Sequence, residues 1–137
     1  MILLDTVVLS ELRKTRPNAS VMAYLKEQTE DATFISAMSI GEIEAGVERQ
    51  RSQNPAFAVE LEQWLETLEL QFSHCVLPVT PAIARLCGRL CAQTGNKGLD
   101  NLIAATALCH NLTLVPRNAN HFEPTGVRVF NPFSDAV

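Results

Sequence analysis

Aromatic and charged residues are both scarce in this 137-residue sequence. Phe, Trp and Tyr make up 6% of it, and Asp, Glu, Lys and Arg 19%. There is no excess of positive charge. The net charge of −4 argues against broad, non-specific binding to nucleic acid, which needs a basic field. No apolar run reaches membrane-spanning length, so no membrane role is expected. The opening run Met1-Ile2-Leu3-Leu4-Asp5 is too short, and has no basic flank, to read as a signal sequence. A cytoplasmic protein is therefore expected. Cys75, Cys87, Cys91 and Cys109 form no CxxC pair and have no close histidine, so they make no zinc set. Cys87 and Cys91 lie four apart on an expected helix and read as small hydrophobes sharing a face. A disulfide framework is not expected in such a chain.

The apolar fraction, 47%, is ordinary. It is supplied by Leu, Ile, Val and Ala, which suit packed helices around a buried parallel sheet. The length points to one domain over 1–137, large enough for a core without staples. Residues 2–5 read as a short buried strand, and 6–14 as a helix ended by Pro17-Asn18. Asn18 is placed to cap a second helix. Thr33-Phe34-Ile35-Ser36 reads as the second strand. A helix then follows with Ser39 as its cap and Glu42 at capping-box spacing. Leu61, Trp64, Leu65, Leu68 and Phe72 make a helical stripe, followed by a third strand at 75–77. Thr80-Pro81 opens another helix and Gly95 closes it. Residues 99–110 form a helix that is apolar nearly all round, and 112–115 a fourth strand. A fifth strand is expected at 127–130, at an edge. Strands alternating with helices predict a three-layer α/β/α fold with a four- to five-stranded parallel sheet.

Three acids fall where strands give way to helices. Asp5 ends the first apolar run, Glu42 follows the second strand, and Asp100 opens Asn101-Leu102-Ile103-Ala104-Ala105. In a parallel sheet the carboxyl ends of the strands share one edge, and ligands bind there. Acids scattered in sequence would meet at that edge. Clustered carboxylates repel one another and shift each other's pKa unless a cation holds them. Hard oxygen donors select Mg²⁺ or Mn²⁺. The chemistry indicated is metal-dependent phosphodiester hydrolysis, for which the modest negative charge is no obstacle.

Four ordered blocks carry a resemblance. They are Leu3-Leu4-Asp5-Thr6 with Leu9-Ser10-Glu11-Leu12, then Ile35-Ser36 with Ser39-Ile40-Gly41-Glu42-Ile43-Glu44-Ala45-Gly46. Next comes Asp100-Asn101-Leu102-Ile103-Ala104-Ala105-Thr106-Ala107. The last is Leu114-Val115-Pro116-Arg117-Asn118 through His121-Phe122 to Gly126-Val127-Arg128-Val129. Together they resemble PIN domains, specifically the VapC-type ribonuclease toxins of toxin–antitoxin pairs, which include plasmid-stability proteins. The resemblance implies an endoribonuclease that hydrolyses RNA phosphodiester bonds with metal-activated water. Asp5 and Asp100 would bind Mg²⁺ or Mn²⁺ directly, and Glu42 would complete the catalytic set. Thr6 and Ser10 are secondary candidates. The resemblance also implies a cognate antitoxin, a homodimer and a heteromeric toxin–antitoxin assembly.

The chain departs from the usual pattern at three places. Val7 stands where asparagine or another small polar residue is common. Pro116 replaces a hydroxyl residue at the end of the fourth strand. Asn118 and His121 occupy the positions where a further acid is usual. Asn118 can ligate through its carbonyl, and His121 through imidazole, which suits softer metals. Arg117 is a candidate for orienting an RNA phosphate. Arg13, Lys14 and Arg16 could contact RNA or an acidic segment, but such groups are more often solvated surface. These departures leave open a second reading, a PIN-like protein with a weakened or inactive site that acts by binding an antitoxin. A third reading is a phosphohydrolase acting on DNA or small phosphates.

Overall fold

Successive residues of a strand face opposite sides of its sheet, and this sets the layers here. The computed structural model describes residues 1–96 and 98–133. Strand β1 (Ile2–Leu4) sends Leu3 into one core, and Ile2 and Leu4 into the other. Strand β4 (Thr113–Val115) does the same with Leu114 and Val115. Strands β2 (Thr33–Ser36) and β3 (Val76–Leu77) complete a parallel sheet of order β3-β2-β1-β4. Every residue of β1 is buried, as expected of a central strand covered on both faces.

Helices α5 (Pro81–Thr94) and α6 (Leu99–Cys109) cover the Leu3 face through Ile83, Leu90 and Ile103. Helices α1 (Thr6–Glu11), α2 (Ala19–Lys26), α3 (Ala37–Gln53) and α4 (Pro55–Gln71) cover the other. They contribute Val8, Leu9, Val21, Ile43, Leu65 and Leu68. The expected α/β/α sandwich is therefore the fold. Each fully buried leucine or isoleucine of these cores is worth roughly 1.5–3 kcal/mol of transfer free energy.

Local chemistry explains most element ends. Asn18 caps α2 by accepting from the N–H groups of Ser20 and Val21 at 3.0 and 3.1 Å. Thr80 caps α5 through Ile83 N–H, and Gly95 ends it with φ of 73°. That left-handed angle is one that glycine adopts without strain. Asn54 ends α3 and caps α4, with Pro55 as the first residue of the new helix. This divides the 39–72 stretch.

Three expectations are corrected. Ser36, not Ser39, caps α3, by accepting from Met38 N–H at 3.1 Å. The helix starts at Ala37, so Glu42 lies in its second turn and cannot close a capping box. Helix α1 stops at Glu11 rather than 14, with Leu12 as its C-cap still packed against the core. The fifth strand reduces to a single parallel bridge, Leu114 to Val129. Leu114 N–H donates to Arg128 and Phe130 N–H to Leu114, after which the chain turns away. Phe130 then stacks on Tyr24 with ring centroids 4.7 Å apart.

All four cysteines are free. Burial and the neighbouring Cys91 push the Cys87 thiol above its ordinary pKa. Among the described residues, no helix is long and apolar enough to cross a membrane.

Candidate active site at the carboxyl edge of the sheet

Asp5 follows β1 directly. Its backbone N–H donates to Val115 at 3.1 Å, so the β1–β4 pairing fixes its place. Asp5 occupies the N-cap position of α1, yet its side chain makes no capping bond. The carboxylate is left for other partners. Its pKa is pushed up to about 6. Burial is the main cause, opposed by the Thr6 backbone N–H; the charges of Asp100 and Glu42 add to the rise. The three acids, far apart in sequence, therefore share one electrostatic neighbourhood at the edge where the strands end.

Glu42 is held by Thr6. The Thr6 hydroxyl lies 2.8 Å from Glu42 Oε1 and 2.8 Å from Ser39 Oγ. Threonine has one hydroxyl proton, and an ionised carboxylate can only accept. Thr6 therefore donates to Glu42, and the buried Ser39 turns its own proton toward Thr6. Ser39 was expected as a cap; it is instead the second link in a chain from α3 to α1. The signal for this role was its place three residues ahead of Glu42, on the same helix face. Ser10 lies one turn beyond Thr6 on α1 and takes no part in this contact.

Asp100 sits in the first turn of α6. It does not cap the helix; Gly98 holds that position. Its Oδ2 lies 3.7 Å from His121 Nδ1, and His121 Nε2 lies 3.0 Å from Asn118 Nδ2. Both residues belong to the segment after β4, where a 3-10 helix spans Ala119–Thr125. The structure thus brings Asn118 and His121 to the same side as Asp100.

Arg117 extends from the end of β4 over the ring of Phe133, 4.8 Å from its centroid. Cation and ring face attract at this separation. Near it is Glu11, which is buried. Glu11 pairs with Lys14 and accepts from Asn18 N–H at 2.9 Å. These two bonds hold its carboxyl below the usual glutamate range, and Arg117 adds a smaller pull. The sequence clue was an acid between Leu9 and Leu12 with a lysine three residues on.

The potential ligands are hard oxygen donors. Among the described residues, no three His, Cys, Asp or Glu side chains are grouped closely enough to hold a metal ion between them. Mg²⁺ does not require such a group, since it commonly keeps several waters and uses only one or two carboxylates. Burial dominates the rise in the Asp5 pKa, and the smaller repulsion from Asp100 and Glu42 is what a cation between the acids would relieve. The donor set fits a hard divalent ion.

The family model described as PIN domain matches residues 2–126. The chain belongs to the PIN domain family. It is 33% identical over 142 residues to toxin FitB of Neisseria gonorrhoeae, covering 98% of this chain and all of that one. Its identity to VapC ribonuclease Y4jK of Sinorhizobium fredii is 32% over 143 residues, 99% of this chain and all of the relative. Among solved structures, FitAcB from Neisseria gonorrhoeae superposes with a TM-score of 0.85 at 32% identity. That match covers 96% of this PIN chain and 98% of the other. The PIN and VapC-like resemblance read from the four blocks is thus borne out over almost the whole chain.

Proposed function

We propose that this PIN domain is the endoribonuclease toxin of a toxin–antitoxin pair, hydrolysing RNA phosphodiester bonds with the help of Mg²⁺ or Mn²⁺. One observation carries the reading: the charges of Asp100 and Glu42 reach Asp5 at the carboxyl edge of the sheet. The similarity to proteins named toxin FitB and VapC ribonuclease supports it.

In this reading Asp5 and Asp100 would hold the cation, and Glu42 would complete the acidic set. When bound, the cation offsets charge on the phosphoryl oxygens and activates the attacking water. Thr6 and Ser39 fix Glu42, so that it approaches in one orientation. Arg117, steadied by Phe133, pairs with a phosphate of the RNA. Water adds to phosphorus as the bond to the leaving ester oxygen breaks. A homodimer restrained by a cognate antitoxin in a heteromeric complex completes the proposal, as the toxin resemblance implies.

The test is cleavage of single-stranded RNA with and without added Mg²⁺ or Mn²⁺. Activity should require the metal and vanish in Asp5→Ala and Asp100→Asn. Full cleavage by either variant, shown to be folded, would sink the mechanism.

A second reading is favoured by one feature of the site. Buried Pro116 and the Asn118–His121 pair occupy positions where a hydroxyl and an acid are usual. With less negative charge, the site would bind metal weakly, and the chain would act by engaging the antitoxin alone. Calorimetric titration with Mn²⁺ separates the two readings: no heat at millimolar metal favours the second.

A further inference from the structure

Beside the carboxylates, a cleft of about 380 Å³ opens between α3 and the start of α6. It is lined by Met38, Gly41, Glu42, Ala45, Arg49 and Leu99. Glu42 belongs to both the cleft and the acid cluster, and Leu99 directly precedes Asp100, so cleft and cluster are continuous. The walls are apolar or small, and Leu99 is 42% exposed. Gly41 leaves the floor open: a Cβ built there meets nothing within 4 Å. Arg49 closes the far end and has no ion-pair partner among the described residues. It follows Glu42 by two helical turns, about 10 Å along α3.

The geometry points to this cleft as the binding site for one unpaired nucleotide of the RNA, next to the phosphodiester that is cut. This rests on the ribonuclease reading and adds a subsite of named residues to it. The base lies between Met38 and Leu99 over Gly41 and Ala45. Flat apolar contact suits a base that has left its stack, and a methionine sulfur gains from an aromatic face. Arg49 supplies the one positive charge on the lining, and it meets the next phosphate along the strand. Charge decides between occupants. An apolar face of a second copy would leave Arg49 buried and unpaired, which is costly, whereas a nucleotide brings its own anion.

The test measures binding of a fluorescently labelled single-stranded octaribonucleotide by anisotropy. All proteins carry Asp5→Asn, so cleavage does not intervene. Gly41→Leu fills the cleft without disturbing the packing behind it, and leucine is the better helix former. It should weaken binding at least tenfold, while Gly41→Ala stays within about twofold. Arg49→Gln should weaken binding about threefold and lower the salt slope by about 0.7, the loss of one phosphate contact on a single strand. Octamer binding that is undetectable in the parent, or unchanged by Gly41→Leu and Arg49→Gln, overturns the assignment. So does Gly41→Leu converting a dimer to a monomer by light scattering, which would make a second copy the occupant. Parallel cleavage assays on the chain with Asp5 intact keep the two proposals apart. If RNA is cut but the binding pattern is absent, the cleft assignment alone falls. If the pattern is present but nothing is cut, the ribonuclease reading falls and the nucleotide site stands.

Discussion

The Thr6 hydroxyl donates to Glu42 across 2.8 Å, joining the first residue of α1 to the second turn of α3. The bond crosses between two elements that approach the sheet edge separately, and it sets where the glutamate can reach. Thr6→Val keeps the shape and removes the hydroxyl. RNA cleavage should fall about tenfold, the scale of one lost hydrogen bond of ~1.4 kcal/mol. Thr6→Ser should retain most of the rate. Equal rates for Thr6→Val and the parent in a single-turnover assay would remove Thr6 from the site.

Asp5 makes the metal-free fold sensitive to pH. Its folded pKa, about 6, lies above the ordinary 3.8. A raised acid favours the folded state below its unfolded pKa. That contribution is lost as pH rises from about 4 through about 6. With chelator present, Asp5→Asn should therefore stabilise the protein at pH 8 by up to about 2–3 kcal/mol and have little effect at pH 4. Saturating Mn²⁺ should stabilise the parent at pH 8 and not the variant. Urea melts at the two pH values decide it.

Glu11 behaves in the opposite sense. Lys14 and the Asn18 N–H hold its pKa below the ordinary 4.5. Its contribution is present above pH 4.5 and is lost as pH falls through the lower folded value. Glu11→Gln should cost about 1–2 kcal/mol at pH 7 and flatten the loss of stability in acid. Thermal melts from pH 3 to 7 test both. A variant as stable as the parent at pH 7 would mean that the buried carboxylate does not need its charge.

His121 stands 3.7 Å from Asp100 where a further acid is usual in the family. His121→Asp adds a hard oxygen donor and a negative charge at that point. Mg²⁺ should bind several-fold more tightly by calorimetry, and the ratio of Mn²⁺ to Mg²⁺ affinity should fall. Unaltered affinity for both ions would show that residue 121 lies outside the metal's reach.

Much of this architecture was legible because single residues announce single events. Thr80, Pro81 and Gly95 bracket α5 as their chemistry requires, and the apolar runs that became β1 and β4 are buried. That the charges of Glu42 and Asp100 reach Asp5 agrees with strand direction, which puts the carboxyl ends of the strands at one edge. The misreadings have physical causes. Ser36 and Ser39 are equally good caps by type, and only the strand's end at Ser36 decides between them. Residues 127–130 have strand composition, yet Phe130 finds Tyr24 and the ladder ends after one bridge. The Glu11 carboxylate is held by Lys14, three residues on, and by the Asn18 N–H, seven residues on; the second contact is one that helical spacing does not record.

The order of strands has a consequence for when the carboxyl edge of the sheet is complete. Central β1 is made first, but it pairs with β4, Leu3 against Leu114, almost a full chain length later. Asp5 is anchored through the carbonyl of Val115. Pairing with β2 can form early, Leu3 against Phe34, but Asp5 gains its anchor at Val115 only when the last strand has emerged.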